Sequence, residues 1–172
     1  MMRQGRPPFG AALPEMPMFY SILKFAHLLA IILWVGGMIF AYCFLRPAAA
    51  TLAPPQRLPL MREVLGRFLN AVLWSVAVAL ASGAWMIGRS ARQAAESGGS
   101  FHMPLAWTAM ATLGVVMAAI FGHIRFALYP RLAGAVQAGQ WPAAGAAMGS
   151  IKTWVAVNLL LGVLAVAAVV LG

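Results

Sequence analysis

Four long apolar runs divide the chain: about Phe19 to Leu45, Phe68 to Ile87, Met103 to Leu128 and Ile151 to Leu171. Within them apolar residues follow one another without strand-like alternation, which excludes a barrel. Each run reaches or exceeds the roughly 20 residues with which a helix crosses about 30 Å of hydrocarbon. Only a helix satisfies its own backbone hydrogen bonds there. The pattern predicts an all-α, polytopic membrane protein: a four-transmembrane-helix bundle, with residues 19–172 as one domain. Residues 1–18 read as a disordered Pro- and Gly-containing tail. It has no apolar segment and no clean cleavage site, so it is not a cleaved signal peptide. Met16 and Met18 are alternative starts that would leave the tail untranslated.

Composition agrees with lipid as the solvent. Hydrophobic residues make up 63% of the 172 and charged residues 9%, with a mean hydropathy of +0.86. A soluble domain carries roughly a quarter charged residues; here there are too few to cover a water-facing surface. Twelve Lys and Arg stand against three acids, Glu15, Glu63 and Glu96. A net charge of +9 invites a nucleic-acid reading. The cations lie mostly between the apolar runs, as topology signals do, and form no dense cluster interleaved with aromatics, so no nucleic-acid partner is expected. One side of the bundle holds Arg46, Arg57, Arg62, Arg67, Arg125, Arg131 and Lys152; the other holds Arg3, Arg6, Lys24, Arg89 and Arg92. The positive-inside rule then places both termini outside. Lone Cys43 reads as a packed small hydrophobe.

The connections differ. Residues 46–67 carry four arginines and prolines 47, 54, 55 and 59; residues 89–102 end in Ser97-Gly98-Gly99-Ser100; residues 129–150 hold a Gly/Ala-rich stretch around Trp141-Pro142 that suits a short helix lying on the membrane. Ser75, Ala79 and Gly83 recur every fourth residue in the second run, and Gly114, Ala118 and Gly122 in the third. Small residues at that spacing let helix backbones approach in lipid.

Polar groups inside the runs carry the candidate chemistry, because lipid makes them costly. No carboxylate lies in any run, which excludes paired-carboxylate catalysis; with no Asp there is no Ser-His-Asp triad. His27 lies about 10 Å below the outer surface at 1.5 Å per residue. His102 and Met103 stand at the outer mouth of the third run, and the second run brings Met86 to the same side. Imidazole and thioether together suit copper, Cu(I) above all. Met is also an ordinary core filler. A second, inner polar cluster would gather Asn70, His123 and Asn158, as a site or as polar glue between helices. For haem, His27 and His123 are the candidate axial ligands, though they differ in depth by about 20 Å on this topology.

Several segments resemble CopD-type copper resistance membrane proteins. They are Leu23-Lys24-Phe25-Ala26-His27, Trp34-Val35-Gly36-Gly37-Met38-Ile39-Phe40 with Leu45-Arg46-Pro47, and Arg67-Phe68 with Ser82-Gly83. Tyr129-Pro130-Arg131-Leu132 and the stretch from Ile151-Lys152 to Asn158-Leu159-Leu160-Leu161-Gly162 are similar to the same family. The resemblance covers about residues 20–171 and is to the family's four-helix core. It implies a bacterial inner-membrane protein that binds copper or passes it from periplasm toward cytoplasm. His27 is carried over as a ligand, with His102 and Met103 beside it. A periplasmic copper-binding protein or a second copy of the chain is the expected partner besides lipid. The His27-to-Trp34 opening is also similar to the HemJ-type protoporphyrinogen oxidase, associated with haem b. Lys152 and Asn158 fit that family's fourth helix, but Leu159 stands where its Glu would follow. A b-type haem oxidoreductase is therefore the alternative reading, and a non-catalytic membrane subunit the third.

Overall fold

The computed structural model describes residues 17–171, so the expected tail lies, but for its last two residues, outside the described residues. Among the described residues the chain is helical with no strand. Helix α1 (Pro17–Phe40) passes through a π-helical turn, Ala41–Leu45, into the short α2 (Arg46–Ala49). The long α3 (Pro54–Glu96) returns. Helix α4 (Leu105–His123) passes through a second π turn, Ile124–Leu128, into α5 (Tyr129–Gln137), and α6 (Trp141–Leu171) closes the bundle. Four helical segments are long and apolar enough to cross a membrane: Met18–Ala49, Pro54–Glu96, Leu105–Gln137 and Trp141–Leu171.

Proline explains where these helices exceed the expected spans. The proline-rich stretch before Phe68 is not a loop, because Pro54 and Pro55 occupy the first positions of α3, where a missing N–H costs nothing. Pro59 lies inside the helix. At 43 residues, α3 spans about 65 Å, roughly twice the hydrocarbon thickness, so it extends beyond the bilayer. The stretch around Trp141-Pro142 is no separate surface helix; it is the first turn of the 31-residue α6.

The two π turns share a cause. Each ends at an X-Pro pair, Arg46-Pro47 and Tyr129-Pro130. A proline inside a helix removes one N–H and crowds the carbonyl four residues back. Widening the preceding turn absorbs this: Arg46 N–H reaches Ala41 O, and Tyr129 N–H reaches Ile124 O. The first and third spans therefore continue past their prolines. Cys43 falls in the first π turn and is exposed, not packed as expected.

Helix α1 packs chiefly on α3, and α4 on α6. The buried face of α3 runs Leu58, Met61, Leu65, Leu69, Val72, Ser75, Val76, Ala79, Ser82, the 3–4 spacing of a single stripe. It meets Trp34 and Met38 of α1, Met117 and Phe121 of α4, and Leu132 and Ile151 beyond. Trp34 meets Phe121 edge-on at 6.3 Å between ring centroids, which closes the middle of the bundle. The core lies toward the end where α1 finishes. Large apolar side chains such as Ile32, Trp74, Val115 and Leu160 face outward; in lipid that surface is at home.

Only one of the two expected seams is a close contact within the chain. Ser75 and Ala79 are buried and Gly83 abuts α1. A Cβ on Gly114 or Gly122 would meet nothing within 4 Å. Close approaches occur instead at Gly37 against the Phe68 ring, Gly66 against the Tyr129 hydroxyl, and Gly162 against Met117 and Val35.

Candidate metal site

His27 sits on the α1–α3 seam, half-buried. Its Nδ1 lies 2.8 Å from the Ser82 hydroxyl. That hydroxyl donates its one proton to the carbonyls of its own helix, Val78 O and, at 3.3 Å, Ala79 O. Toward His27 it can then only accept, so Nδ1 carries the proton and Nε2 keeps a free lone pair. A hydrogen bond at one ring nitrogen that fixes the tautomer and presents the other is the usual support for a metal-bound histidine. The neighbouring Gly83 leaves room for the ring: a Cβ there would stand 3.5 Å from His27 Cε1.

Met86 follows Ser82 by one helical turn, on the same face of α3, and is half-buried. The seam then closes outward through aromatic contacts. Trp85 meets Phe19 at 5.3 Å and Tyr20 at 6.5 Å, and the Arg89 guanidinium lies over both Tyr20 and Trp85. His102 and Met103 lie in the segment before α4. His102 is exposed and its Nδ1 is 3.3 Å from the Ser100 hydroxyl. With Trp34 and Phe121 at one depth, helical rise puts Leu105, the start of α4, about 14 Å farther out than His27, and His102 precedes it. The four expected ligands therefore form two levels, His102 and Met103 at the mouth and His27 below, with Met86 one turn of α3 outward of Ser82. Among the described residues no three His, Cys, Asp or Glu side chains converge on one point.

The inner polar residues each find a different partner. Asn70 is not at the start of a helix but well inside α3, where its Oδ1 accepts from Arg125 Nη2 at 3.0 Å. His123 is exposed and meets the Trp154 ring at 5.3 Å. Asn158 is 1% exposed. Its Nδ2 donates to Met38 Sδ at 3.7 Å, and its Oδ1 has no partner. Asn158 thus ties α6 to α1 and not to His123. The seven-residue spacing of Ser75 and Ser82 was a signal for the Ser82 partner, because it puts both on one face. Nothing in the sequence distinguished the Asn158–Met38 pairing.

Fold and hydropathy together define a multi-pass helical membrane protein. The chain belongs to the family of copper resistance protein D: that family's model matches residues 62–171, from the third turn of α3 through α6. It is accordingly a copper-related membrane protein. Helix α1 with His27 precedes the matched segment. No curated protein and no solved structure matches the chain significantly.

Proposed function

We propose that the chain binds copper at the end of the bundle where α1 begins and passes it inward, with Cu(I) as the cargo. His102 and Met103 at the mouth take the ion first, and His27 with Met86 forms the deeper station. The observation that carries this reading is the His27–Ser82 pair. It commits the Nδ1 proton and leaves Nε2 available, beside a thioether one turn away. Nitrogen and sulfur donors without a carboxylate favour a soft monovalent ion over Mg²⁺ or Ca²⁺. An exposed His102 suits handover from a soluble copper-binding protein on that side. Family membership supports a bacterial inner membrane as the setting, and the positive-inside count supports termini on the periplasmic side.

The test is metal stoichiometry of the purified protein loaded with Cu(I), wild type against His27→Ala and the double variant His102→Ala/Met103→Ala. Loss of one equivalent in each variant supports two stations. Unchanged stoichiometry in His27→Ala removes His27 as a ligand.

A haem reading is favoured by the same tautomer, since an axial histidine also coordinates through Nε2. It does not extend to His123 as the second ligand. Counting helical rise from the Trp34–Phe121 contact, His27 and His123 differ in depth by about 13 Å, too far for one iron. The absorption spectrum, oxidised and then dithionite-reduced, separates the readings: a Soret band that sharpens on reduction moves His27 to a haem, and a colourless protein leaves it to copper.

A further inference from the structure

The end of the bundle opposite His27 contains a cavity of about 360 Å³ in which three cations from three helices meet: Arg46 of α2, Arg57 of α3 and Lys152 of α6. That volume lies in the range of small-molecule sites. Its floor is apolar, with Leu58, Met61 and Met148. Among the described residues no carboxylate lines it. The ion pair Arg67–Glu63 is an exposed pair within α3, away from the cavity. Arg46 leans over the Tyr42 ring at 5.8 Å, while Arg57 and Lys152 are half-buried with no acidic partner among the described residues. Three like charges around one partly enclosed volume repel one another, more strongly as water is excluded. Topology alone requires cations on this side, but not that three of them share a cavity. An anion relieves the repulsion; a copper cation worsens it.

We infer that this cavity binds the phosphodiester headgroup of an anionic glycerophospholipid. Arginine guanidinium pairs with phosphate oxygens through parallel N–H donors, and lysine adds a point charge. The cavity lies where α1 gives way to α2 and near the starts of α3 and α6, the level of a bilayer interface. Basic pockets between membrane helices at that level are suited to acidic headgroups. Exposed Phe44 and Leu60, close in sequence to Arg46 and Arg57, offer apolar surface for the acyl chains. A free phosphate has no use for that surface or for the apolar floor, so the lipid is the favoured source. The site is independent of the copper stations and stands whether or not they do.

Native mass spectrometry of the full-length protein, released from detergent after exchange into phosphatidylglycerol or phosphatidylcholine, tests this. One phosphatidylglycerol retained per chain, at least five-fold above phosphatidylcholine, is the expected result for wild type. Arg57→Gln/Lys152→Gln loses that preference. Arg92→Gln/Arg131→Gln, with the same loss of charge elsewhere, keeps it, and Lys152→Arg keeps it too. Equal retention of the two lipids by wild type overturns the site without reference to any variant. Equal loss in the two double variants reduces it to general charge attraction. Displacement of the lipid by millimolar inorganic phosphate identifies a free-phosphate site and overturns the lipid assignment.

Discussion

Ser82 on α3 accepts a hydrogen bond from Nδ1 of His27 on α1 across 2.8 Å, because its own proton is already given to the carbonyl of Val78. Replacing Ser82 with Ala removes that acceptor and leaves the ring only its backbone partner, Ala79. Loss of a group that orients a metal ligand typically costs 10–100-fold in metal affinity. Ser82→Ala is therefore expected to weaken Cu(I) binding by about that factor while the helical circular dichroism stays intact. Competition against a chromogenic Cu(I) chelator measures it; an unchanged affinity would separate Ser82 from the site.

Gly83 grades the space available to the ring. A Cβ there stands at ordinary contact distance from His27 Cε1, 3.5 Å, so Gly83→Ala should retain affinity within about two-fold, a few tenths of a kcal/mol. Gly83→Leu occupies the volume of the imidazole itself and should reproduce the His27→Ala defect. The two variants measured by the same competition assay must diverge; equal behaviour contradicts this placement of the ring.

The adjacent glycines of α1 should respond in opposite ways. A Cβ on Gly36 meets nothing within 4 Å, whereas one on Gly37 collides with the Phe68 ring. Alanine is the better helix former by up to about 1 kcal/mol, so Gly36→Ala should be neutral or stabilising. Gly37→Ala must push an aromatic ring from the core edge, at a cost of about 1–3 kcal/mol. Thermal unfolding in detergent reads both.

Asn158 is an asset only if its amide is used. With Nδ2 on a weak sulfur acceptor and Oδ1 unpartnered, Asn158→Leu removes a buried polar atom that costs about 1–3 kcal/mol unsatisfied. The melting temperature should hold or rise. A marked fall would mean that the amide makes a further bond that contributes to stability.

The four membrane crossings were legible in the sequence because length and hydropathy decide them. Helix ends were not. Pro54 and Pro55 look like loop residues in a linear reading, yet at the first turn of a helix their missing N–H groups are harmless, and α3 starts there. The π turns at Ala41–Leu45 and Ile124–Leu128 are answers to a proline that hydropathy cannot register. His27 stood out on its own, as an imidazole in an apolar run. Its partner was marked only by the seven-residue spacing of Ser75 and Ser82, since helix rotation decides which face of α3 it meets. The same limit separated the expected ligands into two levels and sent Asn70 to Arg125 and Asn158 to Met38. The cavity of Arg46, Arg57 and Lys152 gathers residues far apart in the chain, which a count of charges by side cannot reveal.

The proposed function requires that His27 hold copper. The most direct measurement is Cu(I) bound per chain for purified wild type and His27→Ala under identical anaerobic loading, with folding checked by circular dichroism. Wild type is expected to hold one equivalent more than a folded His27→Ala. Equal copper in the two proteins contradicts the account.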